Sequence, residues 1–228
     1  MTTSATTSTA ISANRPLPAI RVLIADDHAI VREGLKQILA DTGDIVVAGD
    51  AKDGLEAIHL ARTLEGDVLL LDISLPDRSG IDVLKQLRKE YPKLAVLMLS
   101  MHREDQYAIR SLKAGASGYL NKQSAPVELV NAIRQVASGR KYVSLALAQE
   151  LANHIDEDHE TALHETLSDR EYQTLVMIAS GKTVSDIASD LALSVKTISM
   201  YRTRLLLKMK LRHNAELTHY AIRNGLVE

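Results

Sequence analysis

Val68-Leu69-Leu70-Leu71-Asp72 is four apolar residues without a break, closed by a carboxylate. A run this short, with no polar alternation, predicts a strand buried on both faces. Similar runs stand on either side, at Ile20–Ala25, Ile45–Ala48, Leu94–Leu99 and Gly118–Leu120. Stretches of helical period separate them at about 28–40, 53–64, 79–90 and 104–114, and a fifth follows at 125–138. Gly43, Gly66, Pro92 and Gly115 punctuate the helix ends. Five β–α units in succession predict an α/β domain with a doubly wound parallel sheet.

The chain has 228 residues, room for one large domain or two modest ones. Apolar residues make up 46% and charged residues 25%, as in soluble globular proteins. The absence of cysteine excludes a disulfide framework, a Cys-ligated zinc and a thiol nucleophile. No apolar stretch approaches the roughly 18 residues of a membrane helix, so no membrane role is expected. Residues 2–13 are nearly all Thr, Ser and Ala. Residues 1–18 are therefore expected to be a disordered leader, with too little apolar surface to offset ordering entropy. They hold no basic cluster and no apolar block, so no secretory signal is read there.

The net charge of −2 is unevenly spread. Residues 20–143 balance 17 bases against 17 acids, while 144–160 hold five acids and no base. Ser194 to Arg212 carries six bases and no acid, a local stripe that suits phosphate backbone. After the α/β region, Leu145, Leu147, Leu151 and Ile155 have a helical spacing that runs into Asp156-Glu157-Asp158-His159-Glu160. This reads as a helical, acidic linker over 142–163. The remainder, 164–228, is all-helical in texture. Ser168-x-x-Glu171 is a capping box for a helix to Ile178, stopped by Gly181. Thr183-x-x-Asp186 starts a short second helix, Ser194 caps a third to Lys210, and a fourth spans Asn214–Arg223 before Gly225. Two short helices, a tight turn and a longer basic helix predict a small helix-turn-helix domain.

In an open parallel sheet, sites form beyond the C-terminal strand ends. Asp26 and Asp27 follow the first strand, Asp72 ends the third, Ser100 ends the fourth and Lys122 follows the fifth. In the flavodoxin-like strand order 2-1-3-4-5 these side chains converge. Three carboxylates raise one another's pKa unless a cation compensates them, and oxygen donors favour Mg²⁺. An ionised Asp is a nucleophile without a base, and its attack on a phosphoryl group gives an aspartyl phosphate. On the third C-terminal helix, Lys196, Ser199, Met200 and Thr203 share one face at helical spacing, the face expected to enter a major groove. Lys196, Arg202, Arg204 and Lys208 are expected to neutralise phosphates.

Residues 20–140 resemble the receiver domain of two-component response regulators. The resemblance rests on Val22-Leu23-Ile24-Ala25-Asp26-Asp27-His28, Leu71-Asp72-Ile73-Ser74-Leu75-Pro76 with Gly80, the strand ending in Ser100, and Gly118-Tyr119-Leu120-Asn121-Lys122. It implies that Asp72 accepts phosphate from a sensor histidine kinase. It implies that Asp27, Asp72 and the Ser74 backbone carbonyl hold Mg²⁺ with help from Asp26. It also implies that Ser100, Tyr119 and Lys122 stabilise the phosphoryl group or switch with it. His28 falls on the expected kinase-docking face, and Ser74 and His102 at positions that tune hydrolysis. Many receivers have Pro after the lysine, whereas this chain has Gln123.

Residues 165–226 resemble the LuxR-type helix-turn-helix, through Leu167-Ser168-Asp169-Arg170-Glu171, Ile187-Ala188 and Leu193-Ser194-Val195-Lys196-Thr197-Ile198. Val184-Ser185-Asp186 and Tyr201 depart from the common residues. Together the two halves resemble a NarL/FixJ-type regulator, most like the GacA/UvrY branch. The implied DNA-contacting set is Lys196, Thr197, Ser199, Met200, Tyr201, Arg202, Thr203, Arg204 and Lys208. Leu217, Tyr220 and Ala221 on the last helix are the implied dimer contacts. Expected boundaries are 1–18 leader, 19–141 receiver, 142–163 linker and 164–228 DNA-binding domain. Expected partners are the kinase, double-stranded promoter DNA, a second copy of the chain and RNA polymerase, in the cytoplasm. A phosphatase with an aspartyl-phosphate intermediate needs a second acid two residues after the nucleophile, where this chain has Ser74. A receiver used only for interactions is the other rival, and the intact Asp27, Asp72, Ser100 and Lys122 set speaks against it.

Overall fold

The computed structural model describes residues 19–101, 105–144, 147–149 and 162–227. The leader, His102 and most of the expected linker helix, with Leu145, Leu151 and Ile155, lie outside the described residues. Strands β1 (Ile20–Ala25), β2 (Ile45–Ala51), β3 (Val68–Asp72), β4 (Ala95–Ser100) and β5 (Gly118–Asn121) form one parallel sheet. Their order is β2-β1-β3-β4-β5, the flavodoxin-like arrangement. Helices α1 (Ala29–Ala40), α2 (Gly54–Thr63), α3 (Gly80–Glu90), α4 (Asp105–Lys113) and α5 (Pro126–Ala137) follow the strands in turn.

All five residues of β3 are buried, as its continuous apolar run requires. Side chains alternate across the sheet. Val22, Ile24 and Leu70 face α1 and α5, where Leu35, Leu39, Leu129 and Ile133 meet them. Leu23, Leu69 and Leu71 belong to the opposite layer with Ile58, Leu84 and Ile109 from α2, α3 and α4. β2 runs three residues past its apolar stretch, because Gly49, Asp50 and Ala51 pair with Leu23, Ile24 and Ala25 after a register shift. Asp50 fits this edge strand because Arg32 and Lys36 each contact its carboxylate at 2.9 Å. Beyond α5 the chain returns to the sheet, where Tyr142 bridges Gly118 and its hydroxyl donates to Glu128 at 2.8 Å.

The C-terminal domain has a 3-10 turn (Leu163–Thr166) and helices α6 (Asp169–Ala179), α7 (Val184–Asp190), α8 (Val195–Met209) and α9 (Asn214–Arg223). Both capping boxes form, at Ser168–Glu171 and Thr183–Asp186, and Ser194 Oγ accepts the Thr197 amide at 3.0 Å. The turn between α7 and α8 places Ala192 in the left-handed region, at φ 49°. Every residue of α6 is buried. One side packs on α8 and α9 of its own domain, and the other meets the receiver. One hydrophobic cluster therefore includes Leu75 and Tyr107 of the receiver together with Tyr172, Leu175 and Leu217.

Candidate functional site

The C-terminal strand ends bring the expected receiver residues into one acidic pocket. Asp26 is fully buried, and Asp72 and Ser100 nearly so. Lys122 Nζ lies 2.6 Å from Asp26 Oδ2 and 2.9 Å from Asp72 Oδ2. Burial pushes the Asp72 carboxyl above its ordinary range, the charge of Lys122 opposes that rise, and Asp26 adds to it. Burial also opposes the charge on Lys122, but Asp72 and Asp26 outweigh it and hold the ammonium above its usual range. The Ser74 backbone works in the same direction as Lys122, lowering the Asp72 carboxyl slightly, and the Lys122 amide donates to the Ser100 carbonyl at 2.8 Å.

Gly80 sets the position of Asp72. Its amide donates to the Ile73 carbonyl at 2.8 Å. A β-carbon there would sit 2.0 Å from the Asp72 carbonyl oxygen. The start of α3 can approach the end of β3 only because residue 80 has no side chain.

The four residues Asp26, Asp27, His28 and Asp72 each offer an atom within 4.8 Å of the others, a cluster able to hold a metal ion. His28 Nδ1 lies 2.7 Å from Asp27 Oδ1, and the His28 amide donates to Asp26 Oδ1 at 2.8 Å. The buried oxygens Asp26 Oδ2 and Asp27 Oδ1 have ion-pair contacts but no aligned hydrogen-bond donor. Three hard carboxylate donors with open lone pairs suit a small divalent cation. Tyr119 is fully buried beneath this end of the sheet. The lysine loop replaces the expected proline by a side-chain turn, in which Asn121 Oδ1 accepts the Gln123 amide at 2.8 Å.

On α8, Lys196, Ser199, Met200, Thr203 and Arg204 are exposed along the helix. Thr197 and Tyr201 are half-buried; Thr197 joins the Ser194 cap, and Tyr201 packs on the core. Arg202 Nε donates to Asn214 Oδ1 at 2.6 Å, and Lys208 pairs with Glu171 at 2.6 Å. Two of the four expected phosphate-neutralising cations are thus engaged within their own domain. The assignment of Leu217 and Ala221 to a dimer contact needs correction. Both are fully buried in the domain's own core, because the four short helices spend these side chains on packing against α6. Tyr220 is half-buried, its hydroxyl 2.9 Å from His164 Nδ1. The outward residues of α9 are Ala215, His219, Ile222 and Arg223.

Sequence reasoning missed the contact between the domains. Lys85 on α3 and Arg110 on α4 meet Asp169 at 2.7 and 3.2 Å, and Tyr107 stands edge-on to Tyr172 at 5.0 Å. No periodicity signals it, because charged and polar residues carry much of it.

Residues 22–134 match the response regulator receiver domain, and 165–221 match the bacterial regulatory proteins of the luxR family. The chain is 39% identical to the response regulator UvrY of Escherichia coli K12 over 208 residues, 91% of this chain and 95% of that protein. It is 37% identical to the response regulator GacA of Pseudomonas aeruginosa over 211 residues, 92% of this chain and 98% of that one. A solved structure of RcsB from Salmonella enterica serovar Typhimurium, bound to promoter rprA in the presence of phosphomimetic BeF3-, superposes with a TM-score of 0.60. It is 27% identical and covers 89% of this chain and 98% of that one.

Proposed function

This chain belongs to the response regulators that join a receiver to a LuxR-type DNA-binding domain, and from that premise we propose Asp72 as its phosphoryl acceptor. The family makes it a phosphorylation-dependent transcription regulator rather than an enzyme. The observation that carries the assignment of Asp72 is the buried contact of Lys122 with both Asp26 and Asp72 at the strand ends.

The ionised Asp72 oxygen attacks the phosphorus of a sensor kinase phosphohistidine. A phosphorus–oxygen bond forms, the phosphorus–nitrogen bond breaks, and the imidazole nitrogen keeps the electron pair and takes a proton. Lys122 neutralises charge on the transferred group, and the Ser100 hydroxyl hydrogen-bonds a phosphoryl oxygen. Asp26, Asp27, Asp72 and the Ser74 carbonyl would hold Mg²⁺, which supplies charge compensation to the phosphoryl oxygens. Tyr119 moves with Ser100 in the switch. In the DNA-binding domain, Ser199, Met200 and Thr203 read base edges while Lys196 and Arg204 contact phosphates, with Arg202 and Lys208 freed by exchanging their present partners. Two copies bind double-stranded promoter DNA through the outward face of α9, with Ile222 in place of the buried Leu217 and Ala221. The setting is cytoplasmic, where kinase, DNA and RNA polymerase are all accessible.

Incubation with acetyl phosphate and Mg²⁺ tests the acceptor. Wild type is expected to gain one phosphoryl group and Asp72→Asn none. Equal labelling of the two would remove Asp72 from the role, and labelling unaffected by EDTA would remove the metal.

A further inference from the structure

Helix α1 starts without a side-chain cap. Its N-cap residue, His28, makes no capping hydrogen bond, and its first turn holds no acid. The turn Asp26-Asp27-His28 that leads into it is held instead from within the helix. Arg32 Nη1 donates to the Asp26 carbonyl at 2.7 Å, and the Arg32 amide donates to the His28 carbonyl at 3.1 Å. This one residue therefore spans the turn that carries two of the three carboxylates of the acidic pocket.

The rest of Asp26 is fixed by other elements. Its amide donates to the Ala51 carbonyl at 3.1 Å, its Oδ1 accepts the His28 amide at 2.8 Å, and its Oδ2 meets Lys122 at 2.6 Å. The peptide group that leads on to Asp27 is fixed at its oxygen by Arg32. Arg32 is itself aimed. Its Nε donates to Asp50 Oδ2 on the edge strand β2 at 2.9 Å, and its side chain is only 16% exposed. Lys36, one turn along α1, holds the other Asp50 oxygen at 2.9 Å and Glu33 at 2.8 Å. A guanidinium fork can meet a carbonyl and a carboxylate at set angles, which an ammonium on a flexible stem cannot. Asp50 also compensates the arginine, whose bare charge beside the pocket would repel a divalent cation. Burial raises the Asp50 carboxyl, but Lys36 and Arg32 outweigh that and hold it below its ordinary range.

We infer that Arg32 is a positioning residue for the acidic pocket, aimed by Asp50, and that the pair sets the pocket's affinity for a divalent cation by fixing the Asp26–Asp27 backbone. The inference rests on the reading of Asp26, Asp27 and Asp72 as Mg²⁺ ligands. Groups that orient metal ligands without touching the metal govern its affinity, typically by about 10- to 100-fold. Two roles for Arg32 predict opposite signs. A residue acting only as a nearby positive charge opposes the cation, so its removal tightens binding. A positioning residue does the reverse: its removal weakens binding even though the surroundings become more negative. Loss of the Asp50 charge weakens binding on both counts, because the arginine is left unaimed and uncompensated.

The test uses the full, unphosphorylated chain with Mn²⁺, which shares the oxygen donors of Mg²⁺ and whose free fraction is read by electron paramagnetic resonance. Arg32→Ala and Asp50→Asn are each expected to raise the Mn²⁺ dissociation constant by roughly 10-fold or more, with helical circular dichroism retained. Arg32→Lys keeps the charge and loses the fork, and it is expected to weaken Mn²⁺ as well. Should Arg32→Ala not fold, Arg32→Lys and Asp50→Asn carry the same test. Acetyl phosphate labelling gives a second reading. In each variant the Mg²⁺ concentration for half-maximal rate should rise by a similar factor while the rate at saturating Mg²⁺ changes little, whereas a partly unfolded protein would lose rate at saturation. Unchanged or tighter Mn²⁺ binding in folded Arg32→Ala or Asp50→Asn, or wild-type binding by Arg32→Lys, would overturn the positioning role. Wild-type Mn²⁺ binding that is absent, or that survives Asp27→Asn undiminished, would instead overturn the metal site, and the role of Arg32 with it.

Discussion

Gly80 shows how one atom's absence places a nucleophile. The only room for a β-carbon at this position is 2.0 Å from the Asp72 carbonyl oxygen, so Gly80→Ala must push β3 and α3 apart. The expected cost is about 1–3 kcal/mol, the usual range for overpacking, measured by chemical denaturation. Acetyl phosphate labelling of Asp72 should fall as well, since its carboxylate would leave its present place beside Lys122. Stability and labelling both unchanged would mean that the turn relaxes freely. Asp26, Asp27, Asp72, Ser100 and Lys122 were legible because each follows an apolar run that could only be a buried strand, and strand ends meet in a parallel sheet. Leu217 and Ala221 were not, because helical periodicity marks an apolar face without saying whether the same chain or a second copy covers it.

At the scale of elements, α6 depends on its N-terminal cap. Glu171 completes the capping box with Ser168 and pairs with Lys208 on α8. Burial works against its charge, but the Lys208 and Ser168 hydrogen bonds prevail and hold its carboxyl below the ordinary range. A depressed folded pKa means stability that is present above the unfolded value and lost as pH falls through the folded one. Glu171→Gln should therefore destabilise the protein by about 1 kcal/mol at neutral pH, with the gap to wild type closing in acid. Thermal melts across pH check this, and a gap that widens in acid would contradict it. On α8, Lys196→Ala and Arg204→Ala should weaken binding to all DNA sequences and reduce the salt slope by roughly 0.9 for each phosphate no longer neutralised. Met200→Ala should shift sequence preference with little change in that slope. Selection from a random DNA library combined with a salt titration separates the two effects. The capping boxes made these helices readable, whereas the extra length of β2 was hidden behind Gly49 and Asp50, which suit an edge strand more than a core one.

Across the whole molecule, two domains share a hydrophobic cluster through Tyr107 and Tyr172. The sequence divides them by an acidic linker and carries no periodic signal of the contact, because the residues that join them are largely charged. Asp169, Arg170 and Gln173 are buried and bonded to receiver residues. Separation of the domains would expose these groups to water, which takes over the hydrogen bonds they give up, so the interface can open without great cost. Ile222→Glu, on the exposed side of α9, should abolish cooperative binding to DNA carrying two half-sites and leave single-site binding intact. Unchanged cooperativity in a folded variant would place the dimer contact elsewhere.

The most direct test of the central claim, that phosphorylation of Asp72 controls DNA binding, is the affinity of the full chain for its genomic sites with and without acetyl phosphate. A genome-wide binding map of wild type against Asp72→Asn supplies those sites. Acetyl phosphate is expected to tighten binding by wild type and to leave Asp72→Asn unchanged at fixed salt. An equal response in both proteins, or none in a wild type shown to carry the phosphoryl group, would contradict it.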